Sequence, residues 1–121
     1  FWLVGIDDPI FYLMDNLELA LNGVPPSECR ILLSHAPGIY RKASACGIDL
    51  VLSGHTHGGQ ICLPGGIAIM SNDPGLRSMI RGEWRWEEMQ GYTSPGTGSC
   101  AVPLRLNCPP EVTLHHLHSR R

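Results

Sequence analysis

Two apolar runs constrain this chain most. Ile31-Leu32-Leu33-Ser34 and Leu50-Val51-Leu52-Ser53 are short, without polar alternation, and each delivers a histidine just beyond its end, His35 and His55. Unbroken apolar runs of this length are the pattern of strands covered on both faces, as in a parallel sheet. Between them, Pro37-Gly38 opens a helix predicted over Ile39–Cys46, and Gly47 stops it. Strand, helix, strand in this order predicts an α/β fold with parallel pairing. Upstream, Phe1–Ile6 reads as a strand. Asp15 is placed to cap a helix over Asn16–Leu21, which Asn22-Gly23 ends, and Val24-Pro25-Pro26 is a connector. Downstream the character changes. Ile61–Leu63, Ile67–Met70, Glu83–Glu88 and Val112–Leu117 read as short strands, the first two joined by a tight turn at Pro64-Gly65-Gly66. They predict a second, more antiparallel sheet. Trp84 and Trp86 fall on one face of their strand and are expected in the core.

The segment Gly54-His55-Thr56-His57-Gly58-Gly59-Gln60 follows the second run directly. Strand ends are where α/β proteins place their chemistry. If the loop is extended, residues two apart face the same way, which brings His55 and His57 to one cleft, about 7 Å apart at their Cα atoms. That spacing is wide for one ion. It suits two ions about 3.5–4 Å apart, each taking one imidazole. Gly54, Gly58 and Gly59 free the backbone of the loop and let ligands approach. His35, at the matching strand end, joins them. The expectation is a metal site with His35, His55 and His57 as ligands, and hence a metal-assisted hydrolase.

Composition is that of a globular domain, with 43% apolar residues and a net charge of −2 over 121 residues. The charge is too mild to point to nucleic acid or a membrane surface. No apolar stretch approaches the roughly 20 residues of a membrane span, and location stays open. The five cysteines, at 29, 46, 62, 100 and 108, are odd in number and form no C-x-x-C pair. They are expected as small buried thiols, with Cys62 close enough to the histidine loop to be a spare ligand. Asp7 and Asp8 lie at a strand end, where Asp8-Pro9 favours a turn. Asp49, at the far end of its strand from the histidines, is expected to be structural. Gln60 either lines the cleft or hydrogen-bonds its loop. Arg77 and Arg81 are solvated or meet a substrate phosphate. The tail Leu114-His115-His116-Leu117-His118-Ser119-Arg120-Arg121 is expected to be frayed, with adventitious metal binding by His116 and His118.

Leu33-Ser34-His35-Ala36-Pro37 together with Asp49-Leu50-Val51-Leu52-Ser53-Gly54-His55-Thr56-His57-Gly58-Gly59-Gln60 resembles the calcineurin-like metallophosphoesterases. Gly5-Ile6-Asp7-Asp8-Pro9 and the stretch from Leu104 to Leu114 are similar to the YkuE/YaeI-like bacterial branch. The resemblance covers nearly the whole chain. It implies a four-layer α/β/β/α sandwich, of which these residues, 1–121, are the C-terminal half of the domain. It implies two divalent ions (manganese, iron or zinc), with His35 and His55 on one and His57 on the other. It also implies hydrolysis of a phosphomonoester, phosphodiester or pyrophosphate, in a small-molecule or lipid-linked substrate, by a metal-bridging hydroxide.

The family's Asp-x-His, Gly-Asp-x-x-Asp and Gly-Asn-His elements have no counterpart in these 121 residues. A missing N-terminal half is therefore expected to complete the site. Two other readings stand beside that one: a non-catalytic metal-binding fragment without the bridging carboxylate, or one half of a two-chain enzyme.

Overall fold

The computed structural model describes residues 1–8, 10, 14–73 and 75–118. A five-stranded sheet dominates, in the order β1-β2-β3-β7-β6. Its strands are β1 (Trp2–Gly5), β2 (Arg30–Ser34), β3 (Leu50–Ser53), β6 (Gly82–Trp86) and β7 (Met89–Thr93). β1, β2, β3 and β7 run parallel, and β6 closes the edge antiparallel to β7. A separate antiparallel hairpin joins β4 (Cys62–Leu63) to β5 (Ile67–Ala68). Its turn closes through the bond from Gly66 N to Leu63 O, 3.0 Å, as the Pro-Gly-Gly run predicts.

The α/β class and parallel core agree with the sequence; the downstream sheet does not. β6 and β7 extend the main sheet; the expected strand Glu83–Glu88 is present as β6, but it ends at Trp86 and turns at Glu87 into β7. Glu87 takes a positive φ of 53° there, a task usually given to Gly or Asn. Val112–Leu117 forms no strand. Asn16, not Asp15, caps α1 (Leu17–Ala20), its Oδ1 accepting from Leu19 N at 2.9 Å. The expected helix over 39–46 is a 3₁₀ turn, Pro37–Ile39, running into α2 (Tyr40–Ala45).

One face of the sheet carries the core. The register aligns Val4, Leu32, Val51, Gly91 and Trp84 across all five strands. Leu17, Ile39, Tyr40, Ala43, Ile48, Met79 and Met89 complete the cluster over that row. Leu32 and Val51 are fully buried, each contributing about 1.5–3 kcal/mol. Trp86 packs against the same cluster as Trp84, as expected of a shared strand face. The opposite face is open: Leu3 and Leu33 remain 59% and 41% exposed. Polar side chains tie α2 to both its neighbours. Asp73 accepts from Gly38 N at 3.2 Å where the helical segment begins. Arg30 Nη1 donates to Cys46 O at 3.0 Å where it ends. Asp49 Oδ2 accepts from Arg30 N at 2.8 Å, the structural part expected of it.

Candidate metal centre

β2, β3 and β7 finish level with one another. Ser34, Ser53 and Thr93 are register partners or neighbours on the last rung, and Ser53 Oγ lies 3.0 Å from Thr93 Oγ1. The next residues form the rim. Gly54 N donates to His35 O at 3.1 Å, which locks the two histidine-bearing loops together. The rings of His35 and His55 meet with centroids 4.6 Å apart and planes inclined by 57°. Burial holds the pKa of His55 below the usual imidazole range, and the neighbouring His35 pushes it the same way. Both effects favour the neutral ring, the form that binds a metal.

His57 is carried differently. The sequence argument assumed an extended loop, and the backbone overturns that assumption. φ is +69° at His55 and +50° at His57, and residues His57–Gly59 close a 3₁₀ turn. The two histidines therefore do not follow strand alternation. His57 borders a cavity of about 390 Å³ with Thr56, Gln60, Ile61, Ile69 and Met70, whereas His35 borders another, of about 470 Å³, with Leu52, Tyr92 and His115. Among the described residues no three His, Cys, Asp or Glu side chains come together as a metal-holding group. His57 nevertheless keeps an orphan: its Nδ1 is buried with no hydrogen-bond partner. A buried imidazole nitrogen of this kind is one that a ligand would satisfy.

The loop is held by residues the sequence reading passed over. Thr56 Oγ1 donates to Ile80 O at 2.6 Å and accepts from Gly58 N at 3.2 Å. Asn72 Nδ2 donates to His55 O at 3.3 Å. Arg105 Nη1 donates to His57 O at 3.3 Å and Cys108 O at 3.2 Å, while its Nε reaches Gly98 O at 2.8 Å. Thr56 also caps its own turn through Gly58 N, a local signal, whereas the bonds to Ile80 O, His55 O and His57 O join distant positions and leave none. Gly59 has a plain cause: a Cβ there would lie 2.4 Å from Ala68 Cβ, at a φ of +85°.

The remaining candidates separate clearly. Gln60 is a clamp: Nε2 donates to Cys100 O and Val102 O, and Oε1 accepts from Cys100 N. Asp8 Oδ1 accepts from Ile10 N at 2.9 Å, the turn expected there, though Pro9 itself lies outside the described residues. Cys62 and Cys108 are buried thiols as expected, but Cys29 and Cys100 are exposed. Arg77 bonds the backbone at Ala68 O and Ile69 O and shares a cavity of about 240 Å³ with Arg81. In the tail, His115 packs edge-on against Tyr92, so this part of it is not frayed. Ser119, Arg120 and Arg121 lie outside the described residues.

Comparison with known proteins bears on the site. The chain is 34% identical, over 119 residues, to a bovine transmembrane protein with a metallophosphoesterase domain; the match takes in 92% of this chain and 26% of that protein. It is 37% identical over 103 residues to an uncharacterised metallophosphoesterase of Aquifex aeolicus, 83% of this chain and 36% of the relative. It is 36% identical over 100 residues to the phosphodiesterase YaeI of Escherichia coli, 77% and 35% respectively. The chain thus spans about a quarter to two-fifths of the length of the curated relatives it matches. No family model and no solved structure matches it. By these similarities the chain belongs to the calcineurin-like metallophosphoesterase family, in its YkuE- and YaeI-like branch.

Proposed function

We propose that this chain supplies the imidazole ligands of a two-ion phosphoesterase centre, with His35 and His55 on one divalent ion and His57 on the other. The observation that carries the reading is the meeting of His35 and His55 at the ends of adjacent parallel strands. The unpartnered Nδ1 of His57 supports it. Three imidazoles without a carboxylate hold two like-charged ions poorly. The bridging carboxylate and further ligands therefore come from polypeptide outside these 121 residues, which packs on the open face of the sheet as the other half of a four-layer sandwich. When bound, the ions supply a water made acidic enough to act as a nucleophile near neutral pH and offset charge on the phosphoryl oxygens.

The chain's own part is positioning. β2 and β3 fix the two strand-end histidines, and Thr56, Asn72 and Arg105 hold the loop that carries His55 and His57. The substrate class is a phosphate ester: a phosphomonoester, a phosphodiester or a pyrophosphate, in a small or lipid-linked molecule. The test uses the protein that carries this chain, loaded with manganese and assayed on bis(p-nitrophenyl) phosphate. His35→Ala and His57→Ala are expected to lower turnover by a hundredfold or more and to lower bound metal measured by elemental analysis. Variants that keep both turnover and metal content would sink the proposal. Metal bound without turnover, in the intact protein, would favour the non-catalytic reading instead.

A further inference from the structure

Beneath the histidine loop lie two buried thiols that the phosphoesterase reading does not use. Cys62 is 2% exposed and Cys108 is 1% exposed. They come from segments 46 positions apart, drawn together by a parallel bridge between Ile61 and Leu106. The bond from Cys62 N to Leu106 O (2.9 Å) and that from Asn107 Nδ2 to Cys62 O (2.9 Å) hold the bridge. Cys62 follows Ile61 directly and Cys108 lies two beyond Leu106; the two side chains are neighbours because both sulfurs reach the same oxygen, Gly58 O. Both sulfurs rest on one acceptor: Cys62 Sγ is 3.4 Å from Gly58 O, and Cys108 Sγ is 3.5 Å from it and 3.2 Å from His57 O. A Cβ on Gly58 would come within 2.8 Å of Cys108 Sγ, so the loop sits directly on the pair.

We propose that Cys62 and Cys108 are a redox-active dithiol, which hydrogen peroxide converts to a disulfide tying the start of β4 to the segment after Leu106. One thiol takes an oxygen atom from the peroxide and becomes a sulfenic acid, releasing water. The second sulfur then attacks the first, the S–S bond forms, and a second water leaves. The sulfurs share one acceptor, Gly58 O, at 3.4 and 3.5 Å, which brings one within reach of the other once the first is oxidised.

The consequence reaches the histidine loop. A disulfide carries no S–H, so oxidation removes the thiol donors from the carbonyls of His57 and Gly58 while fastening the floor beneath them. The proposal is independent of the phosphoesterase reading, since it concerns sulfur chemistry alone.

The test is made on the native, reduced protein. It is exposed to stoichiometric hydrogen peroxide, capped with N-ethylmaleimide and digested without reductant. Mass spectrometry is expected to find the Cys62 and Cys108 peptides joined, lighter by two hydrogens, and separated again by dithiothreitol. A Cys29→Ser, Cys100→Ser double variant, which removes the exposed thiols, keeps the link. Cys62 and Cys108 both recovered as maleimide adducts, or joined only to other cysteines, would overturn the assignment. In the same samples, deuterium uptake by the peptide holding residues 54–61 is expected to rise at least twofold on oxidation. Unchanged uptake would overturn the coupling to the loop.

Discussion

Gly91→Ala isolates one contact in the core and gives it a sign. Gly91 faces Trp84 directly across the β6–β7 pair. A Cβ at position 91 would lie 2.2 Å from Trp84 Cζ2 and 2.3 Å from Cε2. In a strand with free space, alanine is better than glycine by about 0.5–1 kcal/mol, because glycine loses more backbone entropy. Here the indole has to move. Overpacking a well-filled core costs about 1–3 kcal/mol. The indole is also anchored, Nε1 donating to Thr93 Oγ1 at 2.9 Å, and Thr93 is fully buried. Losing that bond adds about 0.5–1.5 kcal/mol. The steric terms win, and the variant is expected to be less stable by about 0.5–4 kcal/mol, centred near 2, lowering Tm by roughly 10 °C. Urea denaturation of both proteins measures the difference. Trp84→Leu in the Gly91→Ala background removes the ring and should restore a coupling of about 1 kcal/mol or more. A Gly91→Ala protein within about 0.5 kcal/mol of wild type would refute the reasoning.

Two further outcomes follow from side chains that hold loops. Gln60→Ala removes three bonds to the segment at Cys100–Val102. Hydrogen exchange at Cys100 N is expected to quicken about tenfold or more, the equivalent of about 1.4 kcal/mol of local opening; an unchanged rate would show that the clamp is idle. The hydroxyl of Thr113, and after it that of Tyr92, hold the Glu111 carboxyl below its ordinary value of 4.5. The folded state thus prefers the carboxylate. Its contribution is complete above pH 4.5 and fades as pH falls through the depressed folded value. The gap in urea midpoint between wild type and Glu111→Gln should be widest above pH 4.5 and close as the pH falls below it. A gap that widens with acid would reverse the assignment.

The part of the fold legible in sequence is the part made of continuous apolar runs with clear punctuation. β2, β3 and α2 are bounded by Pro37-Gly38 and Gly47, and their identities follow from burial alone. β7 was hidden because Met89-Gln90-Gly91-Tyr92-Thr93 is neither a pure apolar run nor preceded by a standard turn residue. Its inward side, Met89, Gly91 and Thr93, alternates correctly, but Gly91 reads as a breaker until Trp84 is seen filling the space above it. At the site, strand ends made His35 and His55 findable, and their rings do meet. What sequence spacing could not convey is the coiling of the loop at His57, because that depends on the bonds of Thr56 to Ile80 O, Asn72 to His55 O and Arg105 to His57 O. Such contacts join positions 17 to 48 residues apart and leave no periodic trace.

The left-handed backbone of the histidine loop also shapes how this protein changes under selection. His55, His57 and Gln60 all occupy positive φ, and each costs stability that glycine, or to a lesser degree asparagine, would recover there. Mutagenesis scored by melting temperature alone would accordingly enrich glycine at positions 55 and 57. Such libraries would yield sturdier proteins stripped of their imidazoles, and the loop would lose its chemistry first while the fold gained. A histidine retained at such a position records a demand made on the side chain rather than on the backbone.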